Sequence, residues 1–69
     1  MQKVELSKQQ IEDILEDTRA RRKHFIEKAN KLSAAGKHKE SFGYCKVVSD
    51  LSGQIVRFHE MYIDLGYAA

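Results

Sequence analysis

The residues with the most chemical potential in this 69-residue chain lie in Thr18-Arg19-Ala20-Arg21-Arg22-Lys23-His24, which holds four of its twelve Lys and Arg side chains. Guanidinium groups grip carboxylates and phosphates through paired N–H donors. Arg19, Arg21, Arg22 and Lys23 are therefore candidate ligand-binding residues for a nucleic acid or a small nucleotide. Metal and covalent chemistry have weaker support. Cys45, His24, His38 and His59 include both zinc-ligand types, but no pair has the i, i+4 or Cys-x-x-Cys spacing of a zinc site. On a helix, Cys45 and His59 share a face yet stand about 20 Å apart along the axis. They cannot hold one ion or act as a nucleophilic pair. Cys45, on an apolar flank, is expected to be packed, and His59 to be a packed or interface histidine. With no glycine-rich phosphate loop and no carboxylate pair in a plausible cleft, the chain reads as a non-enzymatic protein without cofactor or metal.

The elements that position these residues are helices. The chain lacks proline and has only four glycines. Ser7-Lys8-Gln9-Gln10 matches a capping box, with Leu6 and Ile11 at the two staple positions. Apolar residues then recur at Ile11, Ile14, Leu15, Phe25, Ile26, Ala29 and Leu32, and Gly36 suits the left-handed residue after a helix. A first helix over about 8–35, a turn over about 36–39 and a second helix over about 40–65 make 1–69 a single antiparallel hairpin. The segment Phe25-x3-Ala29-x2-Leu32-x3-Gly36-x4-Ser41 resembles the turn of tetratricopeptide-type hairpins, where small residues let two helices approach. With no second copy, that likeness implies a hairpin and not a repeat array.

Arg22 interrupts the first helix. At about 100° per residue its apolar stripe runs through Ile11, Thr18, Arg22 and Ala29. If the turn centres near residues 37 and 38, Arg22 meets Gly53 and Ser52 across the hairpin. Three roles fit this placement. The side chain can snorkel out with its stem over the small residues, join Thr18, Ser49 or Ser52 in a buried polar layer that fixes register, or, with Ser52 at hand, form an anion pocket with Arg19 or Arg21.

The second helix is apolar over more than one stripe. Tyr44, Val48, Leu51, Ile55, Phe58, Tyr62 and Leu65 form one seam; Cys45, Val56 and Ile63 form another, with Ser52 and His59 in its gaps. One partner helix needs one seam, so the wider face predicts self-association into a four-helix bundle. The expected interface is Cys45, Val48, Ile55, Val56, His59, Tyr62 and Ile63. Phe42 and Tyr67 are additional candidate contact residues. In outline a dimer of hairpins is similar to the plasmid-encoded RNA-binding helical bundles, with no motif in common.

Charge is sorted along the chain. Residues 1–18 carry two lysines against five acids, residues 19–46 nine bases against two acids, and residues 47–69 one arginine against three acids. A hairpin thus has a basic middle and tip and an acidic open end. The stretch Met1-Gln2-Lys3-Val4-Glu5 lacks the apolar region of a secretory signal, and no run approaches the roughly 20 apolar residues of a membrane span. A lone cysteine fits a reducing compartment. The expectation is an all-α, cytoplasmic homodimer or higher oligomer with no membrane partner. Its expected role is regulatory, inhibitory or adaptor binding to another protein, with nucleic acid or a nucleotide as the alternative ligand.

Overall fold

A computed structural model describes residues 5–68, which form two helices, α1 (Lys8–Ala34) and α2 (His38–Asp64), packed antiparallel. Of the stretch 1–5 read above for a secretory signal, residues 1–4 lie outside the described residues. At the start of α1, Ser7 Oγ accepts from the Gln10 N–H at 3.1 Å while Gln10 Oε1 accepts from the Ser7 N–H at 2.8 Å, closing the capping box. At its end Gly36 takes φ 80°. The Gly36 N–H donates to Ser33 O at 3.0 Å and the Lys37 N–H to Leu32 O at 2.9 Å. These bonds satisfy carbonyls that a helix end leaves unpaired.

Helix α2 begins two residues before the expected start. Lys37 offers no side-chain cap. Its N–H closes α1, and its carbonyl accepts the Ser41 N–H at 3.0 Å, so one residue serves both helices. Gly66, with φ 77°, ends α2 in the same way, through Gly66 N–H to Ile63 O and Tyr67 N–H to Tyr62 O. Tyr67 then turns back. Its ring meets that of Tyr62 edge-on at 5.7 Å, and its hydroxyl donates to Leu6 O at 2.8 Å. The tail aromatic therefore ties the open end of the hairpin across 61 residues of sequence.

The two helices share a thin core. Ile11, Leu15, Ala29 and Leu51 are its buried apolar residues, and of these Ile11 alone is wholly enclosed. All seven residues of the first α2 seam are buried or half-buried, so that seam faces α1. Phe25 stacks on Tyr44 with ring centroids 5.8 Å apart. Nearer the turn, Ser41 Oγ donates to Ala29 O at 2.8 Å, because two small residues allow the backbones to approach. The shape is elongated, 50 × 26 × 14 Å. Its accessible surface of 5563 Å² exceeds the about 4,450 Å² expected of a compact monomer of this mass.

Candidate functional site

Arg22 lies near the middle of α1 and reaches across the hairpin. Its Nε donates to Ser52 Oγ at 2.8 Å, and Ser52 Oγ donates in turn to Val48 O at 2.9 Å. Ser52 therefore links the Arg22 guanidinium to the α2 backbone. Arg22 itself remains exposed. Its Nε bonds across the hairpin while the residue stays exposed, so the layer it makes with Ser52 is not a buried one. Thr18, although buried, is not part of that layer, because its hydroxyl donates to Ile14 O of its own helix at 2.6 Å. Gly53 is not the residue opposite Arg22. It lies beneath Arg57, whose Nη2 is 3.9 Å from where a Cβ would stand.

The cationic cluster is split by the helix. Successive residues turn by about 100°, so Arg19 and Arg21 point to opposite sides of α1. Arg21 Nε pairs with Asp17 Oδ2 at 3.1 Å on exposed surface, an arrangement worth little energy. Arg19 instead lines an open groove of about 490 Å³ with Glu12, Leu15, Glu16, His59 and Tyr62. The Tyr62 hydroxyl donates to Glu12 Oε1 there at 3.3 Å. Lys23 is exposed. Arg22 is thus the cation fixed between the helices, Arg19 lies in the groove, and Arg21 does not join them.

The candidate interface separates into two parts. Val48, Ile55 and Tyr62 are half-buried on the seam that meets α1. Val56 and Ile63, at 55% and 58% exposed, form with Cys45 and His59 an uncovered strip on the adjacent flank. Cys45 is exposed and free, contrary to the expected packing, because α1 covers only the first seam and leaves this flank open. Phe42 is also outward-facing, at 63% exposed, with Lys46 Nζ 5.5 Å from its ring centre.

Sequence reasoning missed two features. One is that Val47 and Met61 are each partly exposed on the opposite flank of α2; their spacing of two heptads was the signal that they share a side. The other is the acidic wall of the groove, Glu12 and Glu16, which read in the sequence only as part of the acidic open end. Among the described residues, no group of three or more His, Cys, Asp and Glu side chains is placed to hold a metal ion, and no helix is long and apolar enough to cross a membrane. No protein-family model, curated protein or solved structure matches the chain.

Proposed function

We propose that this helical hairpin is a small non-enzymatic regulatory, inhibitory or adaptor protein that works by protein–protein contact as a homo-oligomer. The observation that carries this reading is the open flank of α2, where Val56 and Ile63 stand exposed beside the core seam. Large apolar side chains that the chain's own fold leaves uncovered along one flank offer a binding face. The thin core points the same way, since domains of this size commonly draw stability from association. Val56→Glu tests it. The expected result is unchanged helix content by circular dichroism with loss of self-association in native mass spectrometry; an unchanged mass distribution counts against the flank as the contact.

A second reading rests on one specific observation. Arg22 is held by Ser52 through Nε alone, which leaves its Nη donors free to grip a phosphate or carboxylate beside Arg19. In this reading Arg22→Ala abolishes retention on immobilised phosphate or nucleic acid while the melting temperature falls by no more than the loss of the Ser52 bond accounts for. A fall in stability with retention intact removes its support.

A further inference from the structure

Resting on the homo-oligomeric reading, we infer that the occupant of the open α2 flank is a second copy of this chain, packed antiparallel about a two-fold axis at mid-height of the hairpin. Two independent complementarities on one face point to this arrangement, one of size and one of charge.

Along α2 the flank runs Cys45, Ser49, Ser52, Val56, His59 and Ile63, an alternation of four and three residues that keeps one line of a helix facing a partner helix. Its first half is small and its second half is large. Antiparallel pairing about the level of Gln54 sets Cys45 opposite Ile63, Ser49 opposite His59 and Ser52 opposite Val56 of the other copy. Every small residue then receives a large one. Parallel pairing sets small on small and large on large, leaving voids in one half and crowding in the other.

The same axis crosses α1 near Ala20, because the hairpin's own register places Arg22 beside Ser52 and Glu12 beside Tyr62. On this face of α1, acids precede bases. The two-fold axis brings Glu16 of one copy level with Lys23 of the other, twice over. It also seats the second copy over the groove lined by Glu12, Glu16, Arg19 and His59.

Area agrees with this occupant. The chain exposes 5563 Å², about 1,100 Å² more than a compact monomer of its mass. A standard interface takes about 800 Å² from each partner. The hairpin thus has enough surplus surface for one such contact.

Disulfide trapping tests the orientation with the intact chain. In the antiparallel dimer the two Cys45 thiols are about 27 Å apart along the axis, so the wild type stays unlinked under mild oxidation while Ile63→Cys yields a covalent dimer joined between positions 45 and 63. A wild-type dimer linked through Cys45 to Cys45, or an Ile63→Cys dimer that does not link, overturns the arrangement and leaves the oligomeric reading standing. A monomeric mass for the wild type overturns both. Charge exchange gives a second readout: Glu16→Lys weakens the dimer on the order of tenfold, and adding Lys23→Glu restores it. Absence of rescue contradicts the α1 contact.

Discussion

Mutating Arg22 and Ser52 singly and together measures what the cross-hairpin relay contributes. Its geometry sets the size of the effect. The Arg22 Nε to Ser52 Oγ bond, at 2.8 Å, joins residues 30 apart in sequence, and its donor belongs to an exposed arginine. Water competes for the guanidinium, so the coupling falls well below the about 1.5–3 kcal/mol of a charged hydrogen bond in a protected site. About 0.5–1 kcal/mol is expected, a shift of some 2–8 °C in melting temperature for a domain of this size. Ser52→Ala removes the bond to Val48 O as well, but that loss occurs with or without Arg22 and cancels in the cycle. The assay is thermal and urea unfolding of wild type, Arg22→Ala, Ser52→Ala and the double variant at one protein concentration. Additive losses refute the relay and leave Arg22 as a surface cation. Coupling above about 2 kcal/mol contradicts the exposed geometry and requires a buried pair.

Three further outcomes follow from the packing. Ile11→Ala, at the one fully enclosed side chain among the described residues, costs about 2–5 kcal/mol and leaves little folded protein at 37 °C by circular dichroism. Gly36→Ala and Gly43→Ala have opposite signs although neither meets an atom within 4 Å. Gly36 holds φ 80°, so a side chain there costs about 1–2 kcal/mol, whereas mid-helix Gly43 gains about 0.5–1 kcal/mol; urea unfolding reads both. Tyr67→Phe removes the donor to Leu6 O while keeping the ring on Tyr62. It lowers stability by about 1 kcal/mol, and amide exchange accelerates first around the Ser7 cap.

The hairpin was legible because its signals are local. Ser7 with Gln10, Gly36 and Gly66 set helix ends by hydrogen bonds within a few residues, and the seven-residue seam of α2 reports its buried face through periodicity alone. The start of α2 was not legible. Lys37 has no side-chain capping signature and begins the helix only because its N–H is already used in closing α1. Arg22 was placed on the packing stripe by its phase, but phase does not tell a serine from the neighbouring glycine, and the choice of Ser52 over Gly53 depends on where the crossing brings the side chains. Tyr67 shows the same limit. Nothing adjacent to it in sequence signals that its hydroxyl reaches Leu6. The exposure of Cys45 depends on how much of α2 a single partner helix can cover, which is a property of packing and not of pattern.

Sedimentation equilibrium of the wild-type chain, across protein concentration and at two salt levels, decides whether the hairpin pairs with a second copy. The expected mass is twice that of the 8.0 kDa chain, with association that weakens as salt screens the contacts between acidic open end and basic middle. An 8.0 kDa species at every concentration, or a dimer that tightens with salt, contradicts it.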